Sequence, residues 1–189
     1  MALVLDGSAN TITGLAKGGI PHSALAAGTA IQTVNDVLDT AIAQTTSGST
    51  TYTITGLEAT ITLANAANKV LVQVSLKTAY AGPNNGLGWW LNRNTSSSDN
   101  TLAIAAADGN RARRSGGSGY YEDAPNHVDS EELTFLDTPG ATGPHTYNIK
   151  YKDENGDGGI FYVNRPRDDA DTTAYLRGIS TITLTEIIG

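Results

Sequence analysis

Residues 145–163, HTYNIKYKDENGDGGIFYV, decide the fold class of this 189-residue chain. Tyr147, Ile149 and Tyr151 alternate with Asn148, Lys150 and Lys152. A strand has a period of two residues, so the pattern predicts an apolar aromatic face turned inward and an amide-and-lysine face turned to water. The connector from Asp153 to Gly159 is turn chemistry throughout. The run after it, Ile160-Phe161-Tyr162-Val163, is the most apolar and aromatic in the chain. The two arms read as an antiparallel hairpin.

The same alternation recurs on both sides of this stretch. Val70, Val72, Val74 and Leu76 share one face of a strand predicted to be central. Tyr52 and Ile54 alternate with threonines, as do Ala59, Ile61 and Leu63, with Gly56 marking a turn or bulge between them. Leu87 to Leu91, Thr101 to Ala105, Leu133 to Asp137 and Ser180 to Ile188 add further strands. Residues 30–43 fit two readings. Ala30 to Val34 begins as a strand, while Val34, Val37, Leu38, Ala41 and Ile42 fall at helical spacings. The string TITGL occurs at Thr11–Leu15 and again at Thr53–Leu57, and a chance echo of strand-plus-glycine composition is the simpler reading. The expectation from the strand pattern is an all-β chain, an antiparallel β-sandwich or jelly roll over residues 30–189. Residues 1–29 hold too few large apolar side chains for a core and read as an extended N-terminal arm for anchoring or assembly.

Composition agrees with short strands joined by polar turns. Charged residues are only 16% and glycines number 21, below and above the usual shares. The net charge of −7 argues against nucleic acid as a partner. There is no cysteine, so no disulfide or thiolate metal site is expected. No apolar run reaches the roughly 18 residues of a membrane span, so no membrane insertion is expected. The N-terminus lacks the pattern of a signal peptide.

Candidate sites are few. Asp153, Asn155, Asp157 and Gly158 match the early positions of a calcium loop, but Asn164 stands where a bidentate glutamate is needed and no helix flanks it. A turn without metal is the simpler reading. His22, His127 and His145 stand beside turn residues and read as exposed loop histidines. The pairs Glu131-Glu132 and Asp168-Asp169 read as solvated carboxylates rather than an acid–base pair. Ser47 and Ser118 lie outside any GxSxG motif, and Gly116 to Gly119 lacks the features of a phosphate loop. No catalytic residue and no cofactor is assigned, and the chain is not read as an enzyme. Arg111, Arg113 and Arg114, beside Tyr120 and Tyr121, form a basic cluster open to three readings: a solvated loop, an inter-subunit salt-bridge site, or nucleic-acid contact. Trp89 and Trp90 are adjacent, so only one enters a given core, and the other is expected across an edge, an arm or a subunit contact. With Tyr120 and Tyr121 they could instead stack on sugar rings.

The opening LVLDGSANTITGL (Leu3–Leu15) resembles the start of virion proteins of marine and cyanobacterial tailed phages. The body, in TGLEATITLANAANKVLVQVSL (Thr55–Leu76), ELTFLDTPGATGPHTYNIKY (Glu132–Tyr151), VNR (Val163–Arg165) and RGISTITLTEI (Arg177–Ile187), is similar to their fibre- and decoration-type domains. The resemblance implies a jelly-roll-like sandwich on a phage particle, commonly trimeric and without catalytic residues. It implies a capsid decoration (cement) or head-fibre protein, assembled in the host cytoplasm, displayed on the virion surface and partnered by the major capsid protein. A tail-fibre module recognising a host glycan is the alternative. Leu3, Leu5, Ile12 and Leu15 of the arm join Trp89, Trp90, the three arginines and the two tyrosines as assembly candidates.

Overall fold

The computed structural model describes residues 4–6, 11–13, 24–48, 50–82, 86–95, 98–118 and 125–189. Among the described residues there are thirteen strands and no α-helix. They are β1 (Val4–Asp6), β2 (Thr11–Thr13), β3 (Ala30–Leu38), β4 (Ile42–Thr46), β5 (Thr51–Leu63), β6 (Lys69–Ala81), β7 (Leu87–Asn94), β8 (Asp99–Leu102), β9 (Gly116–Ser118), β10 (Asp129–Asp137), β11 (Gly143–Asp153), β12 (Gly159–Val163) and β13 (Ser180–Ile187). Residues 30–43 are therefore strands β3 and β4. The helical spacing loses to pairing of β3 with β13 and of β4 with β12.

β1 and β2 pair only with each other, with Leu5 opposite Ile12. The other strands form two antiparallel layers. In the first, β6 carries β10 along one edge, and β13 then β12 in succession along the other. β13 and β12 in turn carry β3 and β4. In the second, β11 lies between β5 and β7, and β7 carries β8 and β9 end to end. Treat β3–β4, β8–β9 and β12–β13 each as one broken row. The rows then run first, eighth, third, sixth in one sheet and second, seventh, fourth, fifth in the other. That order is a jelly roll, so the expected fold class holds.

The core lies between the sheets and follows the alternation. β6 contributes Val70, Val72, Val74 and Leu76, β5 contributes Ile54, Leu57, Ile61 and Leu63, and β13 contributes Ile182 and Leu184. Each such side chain contributes about 1.5–3 kcal/mol on burial. β5 is one strand rather than two. Its register against β11 slips between Thr53 and Glu58, and Gly56, at φ 78, sits in the bulge.

Residues 145–163 are not a hairpin. β11 belongs to one sheet and β12 to the other, so the connector crosses between layers. Tyr151 and Phe161 meet across the core, with ring centroids 4.4 Å apart, instead of lying side by side in one sheet. Asp153 shapes the crossing. Its Oδ1 accepts from the backbone N–H groups of Asn155 and Gly156 at 3.2 Å, and its Oδ2 from Gly158 at 2.8 Å. Both carboxylate oxygens thus serve the turn's own backbone.

Beyond β12 the chain is pinned by Asn164, which is fully buried and has φ 62. Its backbone N–H donates to Lys77 O at 2.7 Å, and its carbonyl accepts from Gly178 N at 3.0 Å. Its Nδ2 donates to Leu38 O at 2.7 Å and Thr40 O at 3.0 Å, and its Oδ1 accepts from Ser180 Oγ at 2.7 Å. One amide therefore fixes the break between β3 and β4, closes the loop 165–177 at its neck, and starts β13. Asn164→Ala should lower stability by about 3 kcal/mol or more, because two buried carbonyls and a hydroxyl lose their partner. Thermal unfolding should fall by about 6–12 °C. Asn164→Asp should cost more, since it sets a carboxylate against those carbonyls, whereas Ser180→Ala should cost about 1 kcal/mol.

Candidate functional site

Trp89 and Trp90 point to opposite faces of β7, as adjacent strand residues must. Trp89 enters the core at 1% exposure, against Gly116, where an added Cβ would lie 2.5 Å from the indole ring. It is therefore removed from the candidate contact surface. Trp90 lies on the outer face, yet it is only 6% exposed, because the Arg114 guanidinium sits 4.3 Å from its ring centroid. Arg114 is held there by an ion pair with Glu154 at the start of the inter-sheet connector. Gly88 leaves the space for that pair, since a Cβ there would meet Arg114 Cγ at 2.6 Å and Glu154 Oε1 at 2.9 Å.

The outer face of β7 and β11 is also drier than its sequence suggests. Asn148, expected in water, is 3% exposed and its neighbour Asn92 1%, and Asn92 Nδ2 donates to Asn148 Oδ1 at 3.2 Å. Lys150 pairs with Asp99 of β8. Burial works against ionisation of Asp99, but the hydrogen bonds from Lys150 and Asn92 and the Lys150 charge together outweigh it and hold the carboxyl below its ordinary value. The amide-and-lysine face is a hydrogen-bonded layer rather than a solvated one.

The three arginines separate. Arg114 is committed to Trp90 and Glu154. Arg111 pairs with Asp108 at 2.7 Å, with both side chains about three-quarters exposed, an arrangement worth at most about 1 kcal/mol. Arg113 Nε donates to Ala105 O within its own loop. Arg111 and Arg113 are thus the exposed members of the basic cluster. Leu3, Leu15, Tyr120, Tyr121 and His22 lie outside the described residues, and of Leu5 and Ile12 only the backbone pairing is described.

The carboxylate pairs do not form acid–base sites. Glu131 faces inward on β10, while Glu132 faces outward and accepts from Ser75 Oγ at 2.8 Å. Asp168 pairs with Arg167, and Asp169 with Arg165 and Arg177. Ser118, Asp129 and His127 do lie together. Ser118 Oγ donates to Asp129 Oδ2 at 3.3 Å, and His127 Nε2 lies 2.9 Å from Asp129 Oδ1. The carboxylate stands between serine and imidazole, so the imidazole is not bonded to the hydroxyl it would have to deprotonate.

His145 is a correction to the exposed-histidine reading, being 2% exposed inside β11, with Nε2 3.0 Å from Ala141 O. Beside it lies a buried polar group that residue patterns had not singled out. Arg93 of β7 pairs with Asp137 of β10, and Tyr147 Oη donates to the same Asp137 oxygen at 2.8 Å. Burial, reinforced by the adjoining carboxylate, pushes the Tyr147 phenol far above its ordinary value. A second such group joins Glu186 to Asn68 and Gln32, whose amides each donate at 2.6 Å. The only sequence sign of either was a charged residue in the inward phase of a strand.

The sequence matches no family model, and no curated protein matches it. Among solved structures, the fold is similar to the structure of the infectious bursal disease virus Gx strain, with TM-score 0.40, 12% identity, 99% of this chain covered and 41% of that one. It is also similar to the VP2 subviral particle of the same virus, with TM-score 0.38, 12% identity, 83% of this chain covered and 41% of that one. The chain thus spans about two fifths of the length of these structures.

Two measurements test the electrostatic and packing assignments. Burial first, then the charge of Asp129, raises the Glu131 carboxyl above its ordinary value, with Trp89 opposing. A carboxyl raised in the folded state adds stability below its unfolded value and loses it as pH rises through the folded one. Glu131→Gln should therefore raise the melting temperature at neutral pH, with the gain shrinking to nothing in acid. An unchanged difference across the titration would contradict this placement. Arg114→Ala should uncover Trp90 and shift tryptophan emission to longer wavelength, at a cost of about 0.5–2 kcal/mol.

Proposed function

We propose that this chain is a non-enzymatic structural component of a virus particle, a decoration (cement) or head-fibre protein that attaches to the major capsid shell as a homo-oligomer, most simply a trimer. A jelly roll by itself hosts many functions. The observation that carries the reading is where the phage-like motifs fall in the fold. VNR and RGISTITLTEI meet at Asn164, Gly178 and Ser180. Asp137 and Tyr147, within ELTFLDTPGATGPHTYNIKY, bond to each other at one end of the core. The shared residues are those that build the sandwich, which supports a shared scaffold over a chance likeness of surface loops.

In this reading residues 1–29 are the anchoring arm, and Arg111 and Arg113 offer cationic contacts to an acidic neighbouring subunit. The tail-fibre alternative loses part of its basis, because Trp89 and Trp90 are both too buried to stack on a sugar. The test is to mix the purified protein with heads stripped of it and with host cells. Co-sedimentation with the heads, and density at lattice positions in particle images, is the expected result. Binding to cells but not to heads would overturn it. Deleting residues 1–29 should leave the sandwich folded, at the loss of two backbone hydrogen bonds to Ile188, while abolishing attachment. Arg111→Glu with Arg113→Glu should weaken oligomerisation, read by analytical ultracentrifugation.

A further inference from the structure

The two outer faces of the sandwich differ in kind. On the outer side of the β5–β11–β7 sheet lie Glu58, Lys150 and Lys152, with the ion partners Asp99, Arg114 and Glu154. The outer side of the other sheet is nearly uncharged. Register places Thr33, Asn35, Thr181, Thr183, Gln73 and Thr134 on it, across β3, β13, β6 and β10. The charged residues over the same rows are Lys69, Lys77 and Glu132, and the last two pair with each other at 3.5 Å.

Among the described residues, the large apolar side chains left exposed are Val37, Leu136, Ile160, Leu176 and Ile179. All five lie on the uncharged side. Val37 of β3, Leu136 of β10 and Ile160 of β12 are in the outward phase, because Leu38, Phe135 and Phe161 beside them face the core. Ile179 has the phase of Thr181, and Leu176 lines a groove with Lys77, Ser130 and Val128. Val37, opposite Thr181, is diagonal to Ile179, and Leu136 stands opposite Leu71. Single exposed apolar residues are ordinary, but their restriction to one face marks a contact surface.

The chemistry of the face says what covers it. Hydroxyl and amide side chains both donate and accept, so such a face meets a copy of itself without mismatch. It also sets no block of like charge against itself, in a chain whose net charge is −7. Lys77 and Glu132 present opposite signs to their counterparts on a second copy. The open part of the face, Lys69 to Lys77 of β6 across four strand rows, measures about 30 Å by about 19 Å. Two copies would then bury about 1,100 Å² together, just above the roughly 1,000 Å² of a specific contact. We propose that this face, centred on Gln73 and Thr183, is a two-fold interface on which a second copy of the chain seats, sheet against sheet. The same patch serves both copies. The inference goes beyond attachment to a shell and does not require it. A two-fold contact closes on two units, so it doubles whatever unit the Arg111 and Arg113 contacts build.

The test is analytical ultracentrifugation of the full chain across the micromolar range. Val37→Glu with Leu136→Glu replaces two apolar corners of the face by carboxylates. Both sites are about half exposed, so the fold should hold, and the melting temperature checks that it does. Thr53→Glu with Thr62→Glu, at exposed positions of β5 on the charged side, carries the same net charge and is the control. The parent should double in mass with concentration. The first pair should weaken that doubling by about tenfold or more, and the control should leave it unchanged. Should the first pair lower the melting temperature, Gln73→Lys, at the exposed centre of the patch, is read by the same criteria. No doubling in the parent, undiminished doubling in the face variant, or an equal loss in the control overturns the proposal. Loss of head co-sedimentation in the face variant with its mass unchanged would make the shell the occupant, and overturns it too. Head binding of the parent is read separately, so a failure of the shell reading leaves the mass measurement standing.

Discussion

The amide of Asn164 is the point on which the rest of this jelly roll depends. A sandwich whose rows are broken strands must define where each row breaks and restarts. Asn164 does this for three segments at once: the β3–β4 break through Leu38 and Thr40, β6 through Lys77, and β13 through Gly178 and Ser180. Asparagine is suited to the place for two reasons. It tolerates the left-handed backbone that reverses the chain after β12. Its side chain also both donates and accepts, so it satisfies carbonyls and a hydroxyl without bringing a charge into the core. An aspartate of the same shape would meet the two carbonyls with lone pairs, and a glycine would meet them with nothing.

That economy of charge extends through the molecule. The outer sheet faces are joined by neutral pairs: Thr33 with Thr185 at 3.2 Å, Asn35 with Thr183 at 2.8 Å, Thr60 with Thr146 at 2.7 Å, and Asn92 with Asn148. Where carboxylates are buried among the described residues, each has at least two hydrogen-bond donors. Asp153 has backbone N–H groups, Glu186 has two amides, and Asp137 has Arg93 and Tyr147. This is the condition under which a buried polar network specifies a structure instead of destabilising it. A low charged fraction is thus a sign of where hydrogen bonds replace ion pairs, as well as of many short strands.

Period-two alternation was legible, and it located the core face of β6, β11 and β13 correctly. What it could not show was which sheet a strand joins. Alternation assigns a residue to a face, and β11 has the same inward face whether it pairs with the strand that follows or packs against it across the core. The turn-rich connector fits a hairpin and an inter-layer crossing equally well, and Tyr151 against Phe161 decides for the crossing. Burial on the outer face was illegible for a related reason. Trp90 is covered by Arg114, held by Glu154, and Asn92 and Asn148 bond to each other across β7 and β11, and such contacts join positions that a local pattern does not connect.

The same limit applied to the polar groups. A lone Asp in the calcium-like string, or a lone His beside proline, looks like surface chemistry when read locally. Asp153 instead spends its oxygens on the backbone of its own turn, and His145 lies inside a strand with only one ring nitrogen partnered by the protein. Asp153 and Glu186 accept on both carboxylate oxygens from the fold itself, and so are spoken for by structure. A polar residue's distance from saturation, more than its chemical type or its setting in a motif, therefore separates the scaffold from a possible site.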